Sequence, residues 1–175
     1  MSGADIGVIA PYAAQISLLT RLLTADAGYR ERFRAVLGTQ RVEQLSRIEV
    51  KTVDGFEGRE KEVIIFSTVR NNPDGHIGFL ADRRRLNVGL TRAKRGLFVV
   101  GSLSTLRASK ISGAEAQRNV RVGKGGEAWQ QYAKYLTEER LVLQVSGERL
   151  AEVLYGNLPT QFRDQYLGRS IGSRW

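Results

Sequence analysis

Between residues 6 and 107 the sequence alternates short apolar runs with stretches of helical spacing, and this alternation limits the possible folds more than any other feature. Residues 6–10, Ile-Gly-Val-Ile-Ala, form an apolar run ended by Pro11, and residues 13–25 then carry Ile16, Leu19, Leu22 and Leu23 at helical spacing. A second helical stretch, residues 29–45, holds Phe33, Val36 and Leu37 among many charges, with Gly38 as a point of division. So thin an apolar stripe predicts a helix on the surface. Residues 48–53 and 63–69 are short and rich in β-branched side chains, the pattern of buried strands, and Asn71-Asn72-Pro73-Asp74-Gly75 is a strong turn signal. Asp82 is placed to cap a helix running through Lys94, with Leu86, Leu90 and Ala93 on one side, Gly96 ending it and residues 97–100 forming the next strand. Parallel strands need crossovers to return the chain, so the pattern predicts an α/β fold, a parallel sheet covered by helices on both faces. Active surfaces in such sheets lie at the carboxyl ends of the strands.

The remaining residues fit this frame less tightly. Residues 1–107 make the main domain and residues 108–126, with Gly113, Gly123, Gly125 and Gly126, a loose connection. Residues 127–155 are a helical extension and residues 156–175 a tail. Trp129, Tyr132 and Tyr135 share the spacing of a helix over residues 126–136, and that spacing predicts docking back onto the domain rather than stacking on bases.

Charge indicates the class of partner. Lys and Arg total 27 against 18 Asp and Glu, a formal charge of +9 that calls for a polyanion. With no cysteine and one histidine, His76, disulfide frameworks, cysteine-ligated zinc and imidazole-based hydrolysis have no material. No metal-ligating cluster is expected. No apolar run approaches the ~20 residues of a membrane span, and the first residues lack a signal-peptide pattern. The expectation is a soluble intracellular protein of nucleus or cytoplasm, not a secreted one.

Two segments concentrate chemistry. The loop Thr52-Val53-Asp54-Gly55-Phe56-Glu57-Gly58-Arg59-Glu60 joins a hydroxyl, carboxylates, an arginine and two glycines at the end of a strand. Glycine lets backbone N–H groups approach a phosphate, and a neighbouring carboxylate suits a ribose hydroxyl or a metal-bound water. The alternative is a polar connection that uses glycine only for its backbone freedom. The second segment sets Arg83, Arg84, Arg85, Arg92, Lys94 and Arg95 along one expected helix, opposed only by Asp82. Such a group is either a solvated basic face or a site for phosphates, where an arginine fork stabilises a transferring phosphoryl group. For Arg92 alone, compensation of the helix dipole is the plainer reading. Tyr12 and Gln15, just past the first strand, face the same choice between packing and contact with a nucleotide or a strand. No G-x-x-x-x-G-K-[ST] phosphate loop occurs in the sequence, so the chain should not hydrolyse ATP alone.

These segments resemble, in order, three motifs of the second RecA-like motor domain of superfamily 1 helicases of the type that includes the nonsense-mediated-decay helicase and senataxin. Residues 6–15, ending Pro11-Tyr12-Ala13-Ala14-Gln15, resemble the Pro-Tyr-x-x-Gln element. Residues 52–62 resemble motif V and residues 84–94 motif VI. The intervening Ser67-Thr68-Val69-Arg70 and Gly78-Phe79-Leu80 also fit, so the likeness covers about residues 6–101. It implies a three-layer RecA-like sheet of the P-loop NTPase type without its own Walker A loop. It further implies the C-terminal motor half of an ATP-dependent RNA or DNA helicase, with ATP and Mg²⁺ shared with an N-terminal RecA-like domain. Arg92 would then be the arginine finger. Gly58 and Glu60 would lie toward γ-phosphate and ribose, with Arg85 in support. Thr52, Val53 and Asp54 would run along the single strand, with Tyr12 and Gln15 near its start. The sequence departs from the family at Glu57, where Gln is usual, and at Gly89, often Ala. The family's Gln-Tyr-Arg-Met-His-Pro element and the Walker B sequence are missing from these residues. A stand-alone nucleic-acid-binding module without ATPase activity is the rival expectation.

Overall fold

The computed structural model describes residues 1–109 and 124–146. Four strands, β1 (Ile6–Ala10), β2 (Glu49–Thr52), β3 (Lys61–Ser67) and β4 (Ala93–Val100), form one sheet in the order β2-β1-β3-β4. All three pairings are parallel, with Val8 opposite Val50 and Ile65, and Ile65 opposite Phe98. The fold is the α/β, RecA-like arrangement that the alternating pattern predicts.

Alternation along each strand assigns the two layers. Ile9, Ile64 and Phe66 point to one face and join Val53, Phe56, Ile77, Leu80, Leu86, Leu106, Trp129 and Ala133 in a single core. Helices α4 (Arg83–Leu90), α5 (Leu103–Ala108) and α6 (Lys124–Glu138) cover that face. The helix expected over residues 126–136 is thus found, two residues longer at each end, and it is docked through a fully buried Trp129. Val8 and Ala10 point to the opposite face, where α1 (Ala13–Thr24), α2 (Ala27–Leu37) and α3 (Thr39–Val42) lie. The helical stretch expected over residues 29–45 is divided at Gly38, the point of division the sequence offers, whose φ of 81° no ordinary side chain adopts without cost. No residue of α2 is buried, as its thin stripe predicts.

Two expectations need correction. The helix capped by Asp82 stops at Leu90, and Gly96 lies inside β4 rather than ending a helix. Thr91 turns its hydroxyl back onto Asn87 O at 2.8 Å, and the backbone of Arg92 and Ala93 pairs with Lys61 of β3. Strand pairing wins over helical spacing, so Lys94 and Arg95 project from a strand. The strand expected over residues 63–69 runs instead from Lys61 to Ser67, with Val69 left-handed beyond its end. The link from β2 to β3 is the expected loop: residues 53–60 pass over the core with a single 3-10 turn (Asp54–Phe56), anchored by buried Val53 and Phe56.

The glycine at position 89 has a local cause. A Cβ there would lie 2.3 Å from Phe66 Cε2, and Phe66 is fully buried with its ring 6.0 Å from that of Trp129, so it has nowhere to move. Alanine at 89 gains up to ~1 kcal/mol of helix propensity and loses about 1–3 kcal/mol to overpacking. Gly89→Ala should therefore lower the urea midpoint, although alanine is the better helix former. Phe66→Leu added to it should recover about 1 kcal/mol, a coupling read from a double-mutant cycle; strict additivity would show that the two positions do not collide.

Candidate functional site

The residues singled out from the sequence fall into two groups, one at each end of the parallel strands. Thr52 ends β2 and Tyr12 follows β1, so both stand at the carboxyl edge. Thr52 Oγ1 accepts a hydrogen bond from Gly55 N at 3.2 Å and closes the turn that leads to Asp54. Val53 as a whole residue is 1% exposed, so it packs into the core and offers a ligand almost no surface in this structure. Asp54 receives two hydrogen bonds from Arg85, Nε to Oδ1 at 3.1 Å and Nη2 to Oδ2 at 3.2 Å. This fork-to-fork pairing fixes the planes of both groups. Arg85 therefore stands beside Asp54 at the carboxyl edge.

From Arg85 a continuous ladder of rings and guanidinium groups crosses this edge. Its guanidinium carbon lies 3.8 Å from the Phe79 ring centroid, and Phe79 packs against Tyr12 with centroids 6.0 Å apart. Arg70 Nε donates to Tyr12 Oη at 2.8 Å, with its guanidinium carbon 5.1 Å from the centre of that ring. Each such contact is worth about 0.5–1 kcal/mol at an exposed site. Gly78, φ 53°, has no side chain because a Cβ there would meet Arg70 Nη2 at 2.6 Å and Tyr12 Oη at 3.0 Å. Arg70, Gly78 and Phe79 belong to segments that fit the resemblance, yet no spacing rule gave them a role. Their signal is spatial: residues far apart in sequence meet only after the sheet forms.

The second group lies at the amino edge, opposite the carboxyl edge where active surfaces were expected. The 53–60 crossover ends there at Gly58, whose φ of 72° requires glycine and around which an added Cβ would touch nothing within 4 Å. Open space over a left-handed glycine lets backbone approach a ligand closely. Glu60, two residues on, is exposed. Lys61 N donates to Arg92 O at 3.0 Å, so the glycine loop and Arg92 are neighbours although more than thirty residues apart. The Arg92 side chain folds back on α4: Nε donates to Val88 O at 3.1 Å and Nη2 to Thr91 Oγ1 at 2.8 Å. In this pose it caps the helix C-terminus, the plainer of its two roles.

Glu49, at the amino end of β2, ties this edge together. It meets Arg59 at 2.8 Å, Lys61 at 3.1 Å and Lys51 at 3.4 Å, and Lys61 Nζ also donates to Ala4 O at 2.8 Å. Burial pushes the Glu49 carboxyl up, but Lys61 bonded to it, with Lys51 and Arg59, more than reverses this and holds its pKa below the ordinary value. A depressed carboxylate stabilises the fold above its unfolded pKa of about 4.3 and loses that contribution as pH falls through the folded value. Glu49→Gln should thus cost a few tenths to about 1 kcal/mol near neutrality, as partly exposed pairs do. The gap to the native chain should close in acid, as compared by urea midpoints at neutral pH and at about pH 3. A gap that stays constant would show that the carboxylate charge is not what matters.

Among the described residues no helix is long and apolar enough to cross a membrane. A family model described as an AAA domain matches residues 1–104. The DNA polymerase alpha-associated DNA helicase A of Saccharomyces cerevisiae is 45% identical over 103 residues, 59% of this chain and 13% of that protein. The regulator of nonsense transcripts 1 homolog of Neurospora crassa is likewise 45% identical over 103 residues, 59% of this chain and 8% of that protein. Helicase sen1 of Schizosaccharomyces pombe is 40% identical over 109 residues, 62% of this chain and 6% of that protein. The chain spans no more than 13% of the length of these relatives.

Proposed function

This chain belongs to the AAA-domain family as a RecA-like helicase domain of the nonsense-mediated-decay and senataxin type, and we propose that it is the C-terminal half of an ATP-dependent motor moving on single-stranded RNA or DNA. In this reading ATP and Mg²⁺ sit between the chain and an N-terminal RecA-like domain that brings the Walker loops. Gly58 offers its backbone toward the γ-phosphate, Glu60 toward the ribose, and Arg92 leaves its helix cap to reach the phosphoryl group. Thr52 and Asp54 hold the strand at the opposite edge, with the buried Val53 setting the turn between them and Tyr12 and Gln15 beside them. Arg85 acts on the phosphate site through Asp54 and α4 rather than by contact. A nucleic-acid substrate places the protein inside the cell, in nucleus or cytoplasm.

The observation that carries this reading is the hydrogen bond from Lys61 N to Arg92 O, which sets the finger arginine beside the Gly58–Glu60 loop at one edge. Two elements then join that edge to the other, the 53–60 crossover and α4, which is about 12 Å long by its eight residues. A grip on the strand at Asp54 and Arg85 can shift both elements and so move Arg92.

The test is a chimera in which this chain replaces the matching segment of the S. cerevisiae DNA helicase A, its 45% identical relative. Strand-stimulated ATP hydrolysis by the chimera, with none by the chain alone, supports the motor half. A chimera that binds ATP and strand but hydrolyses nothing favours the binding module, which also predicts steeply salt-dependent strand affinity from the chain alone.

A further inference from the structure

Beyond the ladder at the carboxyl edge lies a groove of about 640 Å³ between the start of α1 and the loop after β3, lined by Tyr12, Ala14, Gln15, Leu18, Val69, Arg70, Asn71 and Asn72. We propose that this groove takes one unpaired base of the bound strand, so that the domain grips bases as well as phosphates. The proposal rests on the reading of the chain as part of a strand-bound motor, and it names what that surface holds.

Three independent observations support it. Val69 has φ 64°, a left-handed conformation that costs a β-branched residue of order 1–3 kcal/mol and persists only where surrounding structure enforces it. The outcome of that strain is a valine side chain 40% exposed on the groove wall, where a solvated loop would place a polar residue. Next, the side-chain amides of Gln15 and Asn71 meet no hydrogen-bond partner among the described residues, although both line the groove. Their neighbour Asn72, by contrast, is fully engaged, donating to His76 O at 2.9 Å and accepting from His76 N at 2.8 Å. Finally, Arg70 is held by Tyr12 across one side of its guanidinium and lines the groove as well.

Together these give a flat cationic plane, an apolar wall of Val69 and Leu18, and two free amides at the rim. A planar heterocycle with donors and acceptors on its edge fits that combination: guanidinium planes stack on bases, and an amide offers both a donor and an acceptor. Because each amide can turn over, the groove accepts any of the bases and reads no sequence. The +9 chain supplies the attraction for the phosphates on either side.

The experiment measures binding of the 175-residue chain at low salt to ~12-nucleotide oligo-U and oligo-dT, a length typical of single-strand sites, beside the same strands with abasic positions. Intact strands should bind about tenfold more tightly than abasic ones, while log affinity against log salt keeps one slope for both, because the phosphates are unchanged. Asn71→Ala, at a residue with no other assigned role, should remove much of that tenfold and leave the abasic affinity as it was. Val69→Gly, which relaxes the left-handed backbone and so retains the fold, should do the same. Equal affinity for intact and abasic strands overturns the base groove, whatever the salt slope, and leaves the motor reading to be decided by ATP hydrolysis of the chimera. No strand binding at low salt overturns the groove as a site of this chain, while the motor reading, which needs both domains, stands or falls on the chimera.

Discussion

Arg92→Ala in the reassembled two-domain motor should lower strand-stimulated ATP turnover by about 10³-fold or more, the range found when an arginine finger is withdrawn. The loss should fall on kcat, with strand affinity nearly unchanged, because Arg92 and the residues proposed to hold the strand sit at opposite edges of the sheet. Arg92→Lys should recover only a small part, since an ammonium keeps the charge but not the planar fork. The competing role is visible in the geometry: the guanidinium holds Val88 O and Thr91 Oγ1 and closes the end of α4. If that were all it did, Arg92→Ala would cost about 0.3–1 kcal/mol of stability and leave hydrolysis intact. Thermal midpoint and turnover measured on the same variant separate the two, and undiminished turnover would remove the finger role.

If Arg92 is the finger, the pose folded back on α4 is one of two that it takes. Leaving the cap costs two hydrogen bonds of modest net value, about 1 kcal/mol each, and a nucleotide phosphate returns more, since charge-assisted bonds are stronger. Its position therefore depends on how α4 is held, and α4 is held at its other end by Arg85 against Asp54 and Phe79. In the proposed motor, coupling between strand and nucleotide would need to span only the length of one short helix.

How much of this was legible in the sequence varies with how local its cause is. Strands β1 to β3 and their parallel sheet follow from apolar runs and turn residues, although β2 has no buried residue and β3 runs two residues earlier than its apolar run, and Asp82 caps α4 as its position predicts, accepting from Arg84 N at 2.8 Å. The end of α4 did not follow, because Leu86, Leu90 and Ala93 continue a helical spacing through residues that β3 recruits into a strand. The separation of the basic group into a helix and a strand comes from the same pairing. The glycine loop and Arg92 were both nominated by residue type, but their meeting at the amino edge depends on a crossover without a helix. Arg85 was grouped with the phosphate side, and only the tertiary fold shows its carboxylate partner 31 residues away. The ladder of Arg70, Tyr12, Phe79 and Arg85 has no sequence period at all.

Trp129→Ala should be the most destabilising single substitution proposed here, by about 3–5 kcal/mol. The indole is fully buried, packs against Phe66 and Tyr132 with centroids 6.0 Å apart, and donates from Nε1 to Leu80 O at 3.0 Å. Its removal empties the space between α6 and β3 and leaves a buried carbonyl unpartnered, two costs that add. For a chain of this size each kcal/mol moves the thermal midpoint by about 2–4 °C, so a fall of roughly 10 °C or more is expected. Trp129→Phe, which keeps most of the volume and loses the hydrogen bond, should cost far less. A large drop seen both in near-ultraviolet circular dichroism and in far-ultraviolet signal, in one transition, would make α6 part of the same folding unit as the sheet. The edge that carries Tyr12, Phe79 and Arg85 would then depend on α6 through Leu80. An unchanged midpoint would assign α6 to an extension apart from residues 1–107, the division drawn from the sequence, and free the site's geometry from it.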